Sequence, residues 1–139
     1  AKTVDPKDSS SPEVIQIESA MGAAVEVFEG AQAICVPRRR FLPVKTTNEL
    51  LLLRSDAYDV TDDGDLQLTI ESAPVVELGS AFKKIGDFEE RFPAGVPSLK
   101  EAKRLRVDGD WTFGADVVVV GEGRLGDEGG TVADGSRIG

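Results

Sequence analysis

The chain has 139 residues, enough for one ordinary domain or two small ones, with 40% hydrophobic and 29% charged residues, a balance expected of a soluble globular protein. Its net charge of -9 argues against nucleic acid as the main partner, because phosphate backbones need a basic surface. It has no histidine and a single cysteine, Cys35, so the chain can form neither an internal disulfide nor a Ser-His or Cys-His nucleophile system, and a zinc site lacks its usual ligands. No run reaches the ~20 apolar residues a membrane helix needs, and the N-terminus does not read as a signal peptide. The sequence starts at Ala1-Lys2 without methionine, and the expectation is a piece of a longer protein.

The elements follow in chain order. Ser11 as cap, Pro12 and Glu13 have the form of a helix start. Val14, Ile17, Met21, Ala24, Val25 and Phe28 then recur at helical spacing, and Gly30 ends the pattern, which predicts a core helix. Ala31 to Val36 predicts a short buried strand, with Cys35 as an inert buried thiol. A proline-bounded loop with Arg38, Arg39 and Arg40 follows. Thr46-Thr47-Asn48-Glu49 has capping-box form, so Thr46 to Asp56 predicts a second helix with Leu50 to Leu53 on its buried face.

Asp62-Asp63-Gly64-Asp65 reads as a turn between strands. As a calcium loop it fails: with Gly64 at the sixth position, the third is Thr61 and the twelfth is Ile70. Leu66, Leu68 and Ile70 alternate as in a half-exposed strand, and Val75 to Leu78 predicts another. Phe82 to Phe92 predicts a short helix with Ile85, Phe88 and Phe92 on one face.

The last segment has a six-residue step. Val107, Phe113, Val119 and Leu125 mark it, and Val132 and Ile138 resume it after a one-residue insertion. Such a period is the signature of a parallel β-helix. Many hexapeptide-repeat proteins are acyltransferases with a histidine base. This chain has no histidine, so a structural or assembly cap is the preferred reading of these hexads.

The loop from Pro37 to Thr47 carries the chemistry. Lys45 immediately precedes the expected helix cap, where free N–H groups and a partial positive charge favour anions, phosphate above all. The alternative, solvated surface charge, stays open on these residues alone. No Walker loop is present.

Several segments together resemble one enzyme family. Val14-Ile15-Gln16-Ile17-Glu18-Ser19-Ala20-Met21-Gly22-Ala23-Ala24 is similar to a segment of the eukaryotic-type UTP–glucose-1-phosphate uridylyltransferases. Val36-Pro37-Arg38, Arg40-Phe41-Leu42-Pro43-Val44-Lys45-Thr46-Thr47 and Leu50-Leu51-Leu52 match that family almost residue for residue. Leu78-Gly79-Ser80, Phe82 and Gly109-Asp110, Thr112-Phe113-Gly114 continue the match in order.

The resemblance implies an α/β fold: the C-terminal portion of a Rossmann-like nucleotidyltransferase domain, followed by a short left-handed parallel β-helix. The implied divisions are 1–56 for the end of the catalytic domain, 57–104 for connecting strands and a helix, and 105–139 for the hexads. The implied reaction joins UTP and glucose 1-phosphate into UDP-glucose and pyrophosphate with magnesium. By position, Lys45 matches the lysine on the nucleotide phosphates that is treated as catalytic, and Lys2, in Lys2-Thr3, matches a second functional lysine. Lys7 competes with Lys2 for that role. Arg39 replaces a small polar residue and takes no role, while Arg38 and Arg40 are expected either to partner nearby carboxylates or to contact ligand. No metal ligand is assigned within these residues. A cytoplasmic location and assembly with further copies through the hexad segment are also expected, without nucleic acid or membrane as partner. The family's nucleotide loop is missing, so the chain alone is expected to be inactive.

Overall fold

The computed structural model describes residues 2–5, 8, 10–15, 17 and 21–139. It divides into two compact units, Ala1–Val36 and Pro37–Gly139.

In the first unit, strands β1 (Lys2–Thr3) and β2 (Glu13–Val14) pair antiparallel, with Lys2 opposite Val14 and Thr3 opposite Glu13. The Val4 N–H donates to the Pro12 carbonyl at 3.0 Å. The loop between the strands is held by Ser11, whose hydroxyl donates to the Asp8 carbonyl (2.8 Å) and accepts from the Asp5 N–H (3.1 Å). The expected helix from Ser11 to Gly30 is not formed as such. Glu13 and Val14 are extended, and Met21–Glu26 is one 3-10 helix. The rest of that reading, at residues 16 and 18–20, lies outside the described residues.

Ala31 to Val36 is not a strand either, and Cys35 is exposed rather than buried. The physical reason is common to both corrections. A short helix is marginal unless its apolar stripe is covered, and a strand needs a partner for its backbone. Ile17 is 92% exposed and Ile34 88%, so neither pattern finds a covering layer in this unit.

The second unit holds the core. Helix α1 (Thr47–Arg54) starts at Thr46 with a complete capping box and buries Thr47 and Leu51. The hairpin β3 (Tyr58–Val60) and β4 (Leu66–Leu68) turns through Gly64, whose φ of 78° is the left-handed conformation that this tight turn requires. The Gly64 N–H donates to the Thr61 carbonyl at 2.8 Å. Strand β5 (Val75–Leu78) is where expected.

The predicted helix from Phe82 to Phe92 divides into a 3-10 turn, Ser80–Phe82, and helix α2, Ile85–Arg91. Ile85 is exposed, and Phe82 takes its place inside. The Phe92 ring lies 5.6 Å from Phe82, 4.8 Å from Phe88 and 4.8 Å from Phe113. Gathering four rings into one cluster satisfies more apolar surface than a single straight helix face would.

Strands β6 (Ser98–Val107), β7 (Trp111–Phe113), β8 (Val118–Leu125), β9 (Gly130–Val132) and β10 (Arg137–Ile138) pair only in parallel. One sheet runs β10-β8-β6-β5 and another joins β7 to β9. Val107 lies opposite Leu125, three hexads on. Phe113 opposite Val132, and Val119 opposite Ile138, are three hexads plus the inserted residue. Val107, Phe113, Val119 and Val132 are all buried. The six-residue step is therefore the spacing that stacks parallel strands over one core. A Cβ on Gly109 would come within 2.8 Å of the Asp127 and Gly126 backbone, so glycine there allows the close stacking. The exposed side of the sheet carries ion pairs: Arg104 with Glu77 (2.7 Å), Arg137 with Glu101 (2.8 Å), and Arg106 (2.8 Å) and Arg124 (3.3 Å) both on Asp108.

Candidate functional site

The arginines form a 3-10 turn, Arg38–Arg40, closed by the Arg40 N–H on the Pro37 carbonyl and the Phe41 N–H on the Arg38 carbonyl, each at 3.0 Å. In such a turn, successive side chains point about 120° apart, so Arg38 and Arg40 leave the turn in different directions. Arg38 lies over its neighbour Phe41, 5.0 Å from the ring centroid. Arg40 places Nε 3.4 Å from Asp65 Oδ1, on the turn of the β3–β4 hairpin. Partnership with a nearby carboxylate is therefore found for Arg40, and for Arg38 an aromatic face takes that place.

Lys45 is the last residue before the cap of α1, and it is exposed. The Thr46 hydroxyl accepts from the Asn48 N–H at 3.2 Å, and the Glu49 carboxylate receives both the Thr46 N–H (2.7 Å) and the Thr46 hydroxyl (2.6 Å) on one oxygen. The Thr46 hydroxyl and backbone N–H hold the Glu49 carboxyl below the ordinary glutamate range. Its negative charge faces the positive end of the helix. The helix terminus is thus partly neutralised by its own side chain, which leaves the Lys45 ammonium as the stronger attraction for a phosphate.

The helix behind Lys45 is fixed to the core. Leu51 is fully buried, and Asn48 Oδ1 accepts the Leu78 N–H from β5 at 3.0 Å. At the other end, Asp56 accepts from the Ser98 hydroxyl (2.6 Å) and the Leu99 N–H (2.8 Å) of β6. Lys45 therefore projects from a short loop with a rigid footing. Lys2 lies in the first unit, where its backbone pairs with Val14. Lys7 lies outside the described residues.

Among the described residues, no three His, Cys, Asp or Glu side chains converge to hold a metal ion. No helix among them is long and apolar enough to cross a membrane. The capping box read from Thr46 and Glu49 is formed, and it places Glu49 on the peptide that follows Lys45. Sequence reasoning missed Asp65 and Asn48, because the reach of Asp65 to Arg40 and of Asn48 to Leu78 has no local signal.

The family model of the UTP–glucose-1-phosphate uridylyltransferases matches residues 1–120. The barley (Hordeum vulgare) enzyme of that name is 44% identical over 120 residues, covering 84% of this chain and 25% of the relative. A second, from Dictyostelium discoideum, is 39% identical over 122 residues, covering 85% of this chain and 24% of the relative. Among solved structures, a mutant UDP-glucose pyrophosphorylase from Leishmania major in complex with UDP-glucose superposes with a TM-score of 0.72 at 47% identity, covering 99% of this chain and 30% of that one. The Trypanosoma brucei UDP-glucose phosphorylase gives a TM-score of 0.69 at 43% identity, covering 99% of this chain and 31% of that one. The chain spans about a quarter of the length of the curated relatives it matches. By these matches, the chain belongs to the UTP–glucose-1-phosphate uridylyltransferase family.

Proposed function

We propose that this chain is the C-terminal part of an enzyme that transfers a uridylyl group from UTP to glucose 1-phosphate, giving UDP-glucose and pyrophosphate. The observation that carries the reading is the exposed Lys45 at the end of a loop pinned to the core through α1. In the reaction, an oxygen of the sugar phosphate bonds to the α-phosphorus of UTP, and the bond from that phosphorus to the pyrophosphate oxygen breaks. Charge shifts onto the phosphate oxygens as this happens. A lysine ammonium aimed at them stabilises the transition state by fixed electrostatics, with no proton transfer by a histidine required. Lys45 takes this role in the proposal, and Lys2 supplies a second phosphate contact.

Magnesium is proposed for the complete enzyme. The described residues offer no converging ligand set, so it would be held elsewhere, and no step here runs through it. Residues 1–56 are assigned to the catalytic domain, 57–104 to the connection, and 105–139 to a left-handed β-helix that continues the parallel pairing. A cytoplasmic location belongs to the same proposal.

The test uses the complete enzyme that carries this chain. Lys45→Ala lowers turnover by orders of magnitude while the fold survives, and near-normal turnover would show that Lys45 only solvates the loop. The chain by itself forms no UDP-glucose; detectable product from the purified chain sinks its assignment as a dependent part. A second reading, assembly through the C-terminal strands, is favoured by β10, which ends the four-stranded sheet as an edge. Light scattering that returns a single-protomer mass for the complete enzyme removes it.

A further inference from the structure

We propose that Glu49 is a positioning residue for Lys45; this rests on the reading of Lys45 as the lysine on the nucleotide phosphates. The N–H that Glu49 Oε2 receives at 2.7 Å belongs to Thr46, and therefore to the peptide unit joining Lys45 to Thr46. The Thr46 hydroxyl, 2.6 Å away, ends on the same oxygen. The N–H bond to a charged acceptor holds the orientation of that peptide, and the hydroxyl bond holds the Thr46 side chain against the same carboxylate; together they restrain the direction in which the Lys45 Cα–Cβ bond leaves the chain. A lysine stem has four rotatable carbons, so its ammonium reaches one place reproducibly only if its root is held.

The holding group is itself well founded. Glu49 sits in the first turn of α1, between Asn48, which bonds the β5 backbone at 3.0 Å, and the part of the helix that carries the fully buried Leu51. A continuous path of short contacts thus runs from the core through α1 and Glu49 to the root of Lys45. Glu49 does a second thing for the same lysine. Its carboxylate occupies the end of the helix where a phosphate would otherwise sit. An incoming phosphate is turned away from the backbone N–H groups and towards the ammonium one residue upstream.

Ordinary helix capping would also explain a glutamate here, so the experiment must separate stability from turnover. In the complete enzyme, Glu49→Ala is expected to lower kcat about tenfold, with the larger part of the loss in kcat rather than KM for UTP. Glu49→Gln keeps an oxygen that can accept both bonds, and is expected to stay within about threefold of the parent. Glu49→Asp keeps the charge, and with it the favourable charge at the helix end, but is one methylene too short to reach both donors. It provides the measurement if the alanine variant does not fold, and its kcat is expected to lie between the other two. In a Lys45→Ala background, Glu49→Ala costs nothing further, because the group it positions is gone.

The inference is overturned if Glu49→Ala or Glu49→Asp lowers only the melting temperature and leaves kcat at the parent value. It is overturned equally if the loss persists undiminished without Lys45. If Lys45→Ala itself turns over normally, the functional reading fails first. If Lys45→Ala is crippled and the Glu49 variants are not, this inference alone fails.

Discussion

The two units treat their apolar residues in opposite ways. Among the described residues, the apolar core runs from Leu51 to Val132, all of it in the second unit. In the first, Ile15, Ile17, Val27 and Ile34 are 77–92% exposed. Both stretches carry regular apolar spacing. The hexads of the second unit bring their own covering layer, because each set of three returns the chain beneath the strand it left. The spacing in the first unit repeats within one segment only and meets no second layer in its own unit. Periodicity shows which residues can share a face, but burial needs a second surface. The contrast fits the proposal that residues 1–36 complete a larger domain.

The contrast between the units should be widest for a pair of aromatic truncations. Phe88→Ala, at a fully buried ring, is expected to cost about 3–5 kcal/mol. Phe28→Ala, at a ring 68% exposed, should stay within about 0.5 kcal/mol. Urea unfolding followed by the fluorescence of the single tryptophan, Trp111, measures both. Similar losses in the two variants would mean that the first unit has a core of its own.

Two glycines sharpen the picture within the second unit. Gly109→Ala drives a methyl group against the Asp127 and Gly126 backbone and should cost about 1–3 kcal/mol. Gly86→Ala, inside α2 with open space around it, should instead gain up to about 1 kcal/mol. Thermal unfolding that moved both variants in the same direction would contradict the close stacking of the parallel strands.

The smallest effect is the pH response of the α1 cap. The folded-state pKa of Glu49 is depressed, so the stability it contributes is present above the unfolded value and is lost as pH falls through the folded one. The Thr46 amide resonance should therefore titrate with a midpoint below that of ordinary glutamate. A midpoint at or above the ordinary value would show that the bonds from Thr46 to Glu49 are not held in solution.

Much of the second unit was legible in the linear order of residues. The cap at Thr46 and Glu49, the turn at Gly64 and the hexad step are all local: each depends on residues whose spacing alone brings them together. Lys45 could be singled out for the same reason, since it stands next to a cap that sequence spacing defines. The bend between Phe82 and Ile85 was not legible, because it answers to Phe113, which is remote in sequence. Nor was the exposure of Cys35, which depends on what fails to cover Ala31 to Val36.

The family, the hexad step and the loop that holds Lys45 can be read from the order of residues, because each is carried by contiguous or regularly spaced residues. Which apolar patterns are buried, where Arg40 goes and how Asn48 reaches β5 are settled by packing between remote segments. Those outcomes depend on surfaces meeting and on side-chain directions in space. Spacing along the chain limits such meetings, but packing and hydrogen-bond geometry choose among them.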